Sequence, residues 1–217
     1  MKDKYNLTKE QNIFVAKRNI VDYIWKSANL EGINVTYPET HTILDGINVP
    51  NLKLSDITCI LNLKDAWRDL LNTLDDELNL EYICKINSLV SRNESLEWGV
   101  LRTGKVGITG TKYIPEIPNK EDVRKNISNI LQIESITLRA IKMMLYGMRS
   151  QLFWDGNKRT SMIIANKIMI EQGKGIITIP NEHILEFNKL LTKYYETNDD
   201  EDIIKFIYDN CIDGMIL

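Results

Sequence analysis

The segment from Asn157 to Gln172, NKRTSMIIANKIMIEQ, constrains the fold most. After its first turn it is apolar on nearly every side. A helix of that kind has no face to give to water, so it belongs at the centre of a bundle. The rest of the chain supplies helices to surround it. Thr8 and Gln11 have the spacing of a capping box, and Ile13, Ile20, Val21, Ile24 and Trp25 continue one apolar face to about Leu30, with Gly32 as the stop. A short helix follows Pro38. Leu54 to Leu74 is strongly amphipathic with Ser55 or Asp56 as its cap, and Leu80 to Val90 is a further helix. Lys120 to Leu131, Glu134 to Met148, Asn181 to Leu191 and Asp199 to Asn210 complete the set. The acidic run Asn198 to Asp202 reads as the start of the last helix, where negative charge favours the dipole.

Five prolines and eleven glycines are too few and too clustered for linkers, so the reading is one all-α domain over 1–217. With 43% hydrophobic and 26% charged residues the balance is that of an ordinary globular chain. The apolar runs fall far short of the roughly 20 residues a spanning helix needs, and MKDKYNLTKEQN has no apolar core, so no membrane association, no secretory leader and a cytoplasmic location are expected. Cys59, Cys84 and Cys211 are scattered singly and read as free thiols, and with only His41 and His183 a structural zinc site is not expected. The net charge of −3, with positives and negatives interspersed, does not indicate a nucleic-acid partner. A homo-oligomer is compatible with the sequence.

Chemistry concentrates where a loop enters the central helix: Gln151-Leu-Phe-Trp-Asp155-Gly156-Asn157-Lys158-Arg159-Thr160. The first N–H groups of a helix lack intrahelical partners and, with the dipole, attract an anion such as phosphate. Gly156 lets an anion approach the backbone. Lys158 and Arg159 oppose the dipole at this end, which suggests an external anion that balances them. Asp155 is placed to hold Mg²⁺, which prefers a carboxylate plus phosphate oxygens. Phe153 would anchor the loop, and Trp154 packs on the core or lines a cleft, core packing being favoured. The same residues also fit a plain capped helix, with Asp155 as N-cap and Lys158 and Arg159 exposed.

Phe153, Asp155, Gly156, Asn157 and Arg159 fall in register with the signature HxFx(D/E)GNxRxxR, and on these residues the chain resembles the Fic family and the related Doc proteins. The resemblance covers most of the chain. It implies an all-α Fic-like helical bundle with a small β-hairpin flap, an N-terminal helical region over 1–50 and a core over 51–217. It also implies transfer of AMP from Mg-ATP to a hydroxyl of a target protein, with Gln151, Asp155, Asn157 and Arg159 as catalytic positions and Gly156, Asn157, Lys158 and Arg159 on the nucleotide. Two departures bear on this. The signature's histidine, the general base, falls at Gln151, and an amide cannot take up a proton near neutral pH. Its last arginine falls at Met162, which together with Lys158 is closer to the Doc proteins, whose relatives transfer phosphate. The competing readings are an adenylyltransferase with a degenerate site, a Doc-like kinase, and a non-catalytic ATP-binding module.

Ser27 and Glu31 lie four apart at the end of the first helix, on one face. Ser27-Ala-Asn-Leu-Glu31-Gly32 resembles the family's inhibitory (S/T)xxxE(G/N) motif, in which the glutamate reaches the site. With Met162 in place of the last arginine, Lys158 or Arg159 must receive Glu31. The alternative is an ordinary helix C-terminus. Between Val100 and Pro115 the texture turns to Gly, Thr and Val. Here a hairpin or irregular β flap is expected, with Leu101 to Ile108 as an edge strand. In the family this flap docks the target by strand addition. Leu101, Arg102, Thr103, Gly104, Lys105 and Val106 are the docking candidates, Arg102 or Lys105 meeting acidic side chains of the target.

Overall fold

The computed structural model describes residues 1–50 and 52–215. Position 51, the expected start of the core, and positions 216–217 at its end lie outside the described residues. The described chain is all-α with one two-stranded sheet. In chain order the helices are α1 (Lys9–Arg18), α2 (Ile20–Leu30), α3 (Tyr37–Leu44), α4 (Leu54–Asn72), α5 (Leu80–Val90), α6 (Lys120–Leu131), α7 (Ile136–Ser150), α8 (Asn157–Glu171), α9 (Ile184–Thr197) and α10 (Glu201–Asn210). The strands β1 (Ile176–Ile177) and β2 (Ile212–Asp213) pair antiparallel, Ile176 opposite Asp213.

α8 is the central helix: every residue in it except Lys158 and Glu171 is buried. It packs against α7, α5, α4, α1 and β1. Polar groups that the bundle buries are satisfied locally. Asn166 bonds the N–H and C=O of Ile177 (2.7 and 2.8 Å), and the Lys167 ammonium donates to the Leu74 carbonyl at 2.7 Å. The capping box of α1 forms as expected, Thr8 and Gln11 each bonding the other's backbone. Thr36 and Glu39 make a second box at α3.

The structure corrects three expectations about elements. The single first helix is two, because Asn19 leaves helical geometry (φ −106°, ψ 12°) and sends its side-chain amide to the Tyr23 hydroxyl at 3.4 Å. Asparagine competes for such bonds and is a weak helix former. Neither Ser55 nor Asp56 caps α4: its N-cap is Lys53, without a side-chain hydrogen bond, and both residues lie inside the first turn. Leu101 to Ile108 is not a strand. The segment between α5 and α6 runs over the bundle without a partner strand, and the small sheet lies instead at β1 and β2. An edge strand needs a neighbour to bond; among the described residues, the backbone of Leu101 to Ile108 is tied to a distant part of the chain only by Arg102 N–H to the Leu152 carbonyl at 3.0 Å, besides a local turn in which Ile108 O accepts from Thr111 N–H at 3.4 Å.

Candidate functional site

α7 delivers the chain to the site. Its C-cap is Gln151 in the left-handed region (φ 45°, ψ 60°), which turns the backbone sharply. Leu152 and Phe153 then sink into the core and hold the loop down, as expected of Phe153. Trp154 does not pack in the core. It is 37% exposed, lies over Gly104, where a Cβ would come within 2.7 Å of the ring, and donates its indole N–H to Glu97 at 3.2 Å. Asn157 closes the loop. Its Oδ1 accepts from Phe153 N–H (2.9 Å), and its Nδ2 donates to Phe153 O (2.8 Å) and Gln151 Oε1 (3.1 Å). The other end of the Gln151 amide donates to Met148 O at 2.6 Å. Both ends of the side chain at the signature's base position are therefore occupied.

Gly156 is the N-cap of α8 in the left-handed region (φ 71°), and no side chain caps the helix. A Cβ there would sit 2.4 Å from Ser91 Oγ and 2.9 Å from Val90 Cγ1, so close packing on α5 requires the glycine. Asp155 is not the cap. Its Oδ1 accepts from Gly156 N–H (2.5 Å) and faces Arg159 Nη2 at 3.4 Å, while its side chain stays 46% exposed. The first-turn N–H groups of α8 thus receive no side-chain acceptor.

Arg159 is not exposed. It turns inward, 4% accessible, with Nη1 on Glu94 Oε1 (2.9 Å), Val90 O (3.1 Å) and Cys59 Sγ (3.1 Å). Burial works against its charge, but Cys59, Glu94 and Glu31 outweigh burial and hold the guanidinium protonated. Burial pushes the Cys59 thiol up to about 12, despite the adjacent cation. Lys158 is the cation that faces outward from the joint. Its ammonium lies 3.7 Å from Glu31 Oε2 and 3.3 Å from the Leu30 carbonyl. Glu31 Oε1 is buried without a partner. One turn earlier Ser27 is buried, and its carbonyl accepts the Glu31 N–H at 3.3 Å. Met162 packs in the core.

Arg102 departs from the expectation that it faces acidic target side chains. It is buried and acts as a clamp. Nε donates to Gln151 O and Nη1 to Gly104 O (2.5 Å each), and Nη2 donates to Glu116 O (2.5 Å), Pro115 O (3.3 Å) and Ser150 O (3.4 Å). One side chain fastens both ends of the flap to the turn at Gln151. Thr103 and Lys105 are exposed, and Leu101, Gly104 and Val106 are half-buried.

Sequence reasoning missed Asn87, Ser91 and Glu94. Asn87 Nδ2 donates to Asp155 O (3.0 Å), Ser91 Oγ (2.9 Å) and Thr160 Oγ1 (3.2 Å), and its Oδ1 accepts from Gly99 N–H (2.8 Å). Ser91 Oγ donates to Asp155 O at 3.1 Å. The available signal was two polar residues four apart, Asn87 among the buried residues of α5 and Ser91 at its C-cap. Among the described residues no three of His, Cys, Asp or Glu converge as a metal cluster, and no helix is long and apolar enough to cross a membrane.

A central buried helix entered through a tight loop, with no side chain capping its first turn, defines the class: a helical protein built around one buried helix. No family model matches the chain. It is 24% identical over 183 residues to the protein adenylyltransferase fic-1 of Caenorhabditis elegans, covering 76% of this chain and 34% of that protein. A solved fragment of Fic-1 from C. elegans superposes with a TM-score of 0.75 at 22% identity, covering 91% of this chain and 62% of the fragment. A Fic-domain signalling protein from Bacteroides thetaiotaomicron gives 0.72 at 18%, covering 94% and 86%. A Fic family protein from Desulfovibrio desulfuricans gives 0.70 at 17%, covering 92% and 65%. The fold of this chain is the Fic fold, and the resemblance to Fic proteins is borne out at the level of the fold. The chain spans about a third of the length of the curated relative.

Proposed function

We propose that this chain is a cytoplasmic protein adenylyltransferase that moves AMP from Mg-ATP to a hydroxyl of a target protein, with a site weakened at Gln151 and held back by Glu31. The observation that carries the reading is the joint at Gly156. A helix N-terminus that no side chain caps stands beside Lys158, and Lys158 is met only loosely by Glu31. Free first-turn N–H groups and a lysine attract phosphate. The similarity to a protein adenylyltransferase supports ATP as the donor and AMP as the group transferred.

The residues fit an anionic nucleotide. Lys158 has a distant partner and Glu31 keeps one buried oxygen without a donor, so both are under-satisfied as they stand. Lys158 and the first-turn N–H groups would hold the phosphates. Asp155, half-exposed beside them, would hold Mg²⁺, which suits a single carboxylate only when phosphate oxygens complete its shell. When bound, the ion would draw charge from the phosphate oxygens and the leaving group.

Asn157 and Asn87 fix the loop, Arg102 fixes the turn, and Gln151 orients rather than deprotonates. The target oxygen bonds to the α-phosphorus, the α–β phosphoanhydride breaks with loss of pyrophosphate, and the hydroxyl proton passes to water. Absence of a general base costs about 10²- to 10⁴-fold in rate, while positioning and charge stabilisation remain. Glu31, where it stands, competes with phosphate for Lys158. Leu101, Thr103, Gly104, Lys105 and Val106 would dock the target's backbone.

A specific observation favours a second reading, a non-catalytic nucleotide-binding module: both ends of the Gln151 amide are engaged within the loop. The test is incubation with ATP radiolabelled at the α-phosphate, and separately at the γ-phosphate, for the wild type and Gln151→His. Protein-bound α-label that rises in Gln151→His supports the proposal. Protein-bound γ-label alone overturns it in favour of Doc-like phosphate transfer. No label in either form, with ATP still bound, overturns it in favour of the module.

A further inference from the structure

A groove lies at the end of the flap and adjoins Gln151 through Ser150 and Leu152. The stretch from Tyr113 to Asn119, α6 and the end of α7 enclose its volume of about 460 Å³. Arg149, two residues before Gln151, lines it. Its guanidinium stacks on the Tyr113 ring at 4.0 Å and lies 5.8 Å from the ring of Tyr194. It forms no ion pair among the described residues, and its Nε is buried without an acceptor. The Tyr113 ring attracts the cation, but the Nε–H is out of water without an acceptor, and an acceptor brought to the guanidinium would relieve that cost. Its planar fork matches a carboxylate.

The rest of the lining narrows the ligand. Ile114 and Ile117 are 64% and 47% exposed and offer apolar contact beside the cation. Glu116 and Asp122 line the same groove, so a polyphosphate with several charges is repelled more than a single carboxylate seated on Arg149, and both can accept from N–H groups of a peptide. Ser150 and Leu152, the neighbours of Gln151, also line it.

We infer that this groove binds an extended protein segment that places one acidic side chain, flanked by apolar residues, on Arg149. The inference deepens the proposed function and rests on it for one point only, that the segment held there belongs to the protein whose hydroxyl is presented near Gln151. The recognition itself needs no nucleotide.

The test is NMR of the Arg149 Nε–Hε signal in the whole chain, without nucleotide. The probes are the capped peptide Leu-Glu-Leu-Thr, its glutamine analogue Leu-Gln-Leu-Thr, and inorganic phosphate. The acidic peptide should shift the signal saturably, and the glutamine analogue should bind at least tenfold more weakly. Arg149→Gln should abolish that preference while leaving the melting temperature close to wild type; if it unfolds, the wild-type titration alone decides. Equal binding of both peptides, perturbation confined to other residues, no saturable shift, or phosphate binding as well as the acidic peptide would each overturn the inference. Because ATP is absent, this result is independent of whether any group transfer occurs.

Discussion

Gly156→Ala tests how the site is held. Two costs add in the folded state. The residue keeps a left-handed conformation (φ 71°), which costs a non-glycine residue about 1–2 kcal/mol. The new methyl group would also lie 2.4 Å from Ser91 Oγ and 2.9 Å from Val90 Cγ1. Ser91 is not free to swing away, because Oγ donates to Asp155 O and accepts from Asn87. Relieving the clash therefore means shifting α5 or the loop, at about 1–3 kcal/mol. The sum is about 2–5 kcal/mol, or roughly 4–20 °C in melting temperature for a chain of this size. Gly46→Ala is the control: it has the same sign of φ (83°) but nothing within 4 Å of its Cβ, so it incurs only the conformational part. Urea unfolding of both variants separates the terms. If Gly156→Ala costs no more than Gly46→Ala, the packing account of the loop is wrong.

Three further outcomes are expected. Arg102→Ala should release the flap, because the carbonyls of Gln151, Gly104 and Glu116 lose a common donor; exchange of the backbone N–H at position 102, which donates to the Leu152 carbonyl, should accelerate at least tenfold, and unchanged exchange would refute the clamp. Burial raises the Asp3 carboxyl, but the Thr137 hydroxyl, the Thr137 N–H and Lys174 outweigh it and hold it below its ordinary value. Its stabilisation is thus present above pH 4 and lost as the pH falls through the folded value. Asp3→Asn should cost about 1 kcal/mol at pH 7 and flatten the acid limb of the stability curve, whereas an unchanged limb would count against it. Burial pushes Cys59 and Cys211 up to about 12 each, so iodoacetamide at pH 8 should leave both intact in the native protein, as read by peptide mass; rapid modification of Cys59 would contradict its placement against Arg159.

The central helix was legible because a segment apolar on every side has one place to go. The joint was legible because Gly156 and Asn157 stand where loop meets helix. What holds the joint was not. Asn87 lies 68 residues from the carbonyl it bonds, inside a helix whose pattern reads as ordinary. Glu94 sits in a plain polar loop, and only the fold brings it to Arg159. The sequence reads Arg102 as a contact for acidic target side chains and Arg159 as a cation on the nucleotide; carbonyls from three separated segments draw the first inward, and the half-buried Glu94 draws the second. The flap's Gly, Thr and Val content reads as a hairpin or irregular β flap, but pairing depends on a neighbouring strand that composition cannot supply, and none is there among the described residues.

The most direct test is the intact mass of the wild type and of Glu31→Gly after incubation in Mg-ATP. With Glu31 gone, Lys158 loses its carboxylate and stands open to phosphate. The account predicts an added AMP mass that is several-fold more abundant in Glu31→Gly than in the wild type. Equal modification of the two forms, or no adduct on either, would contradict it.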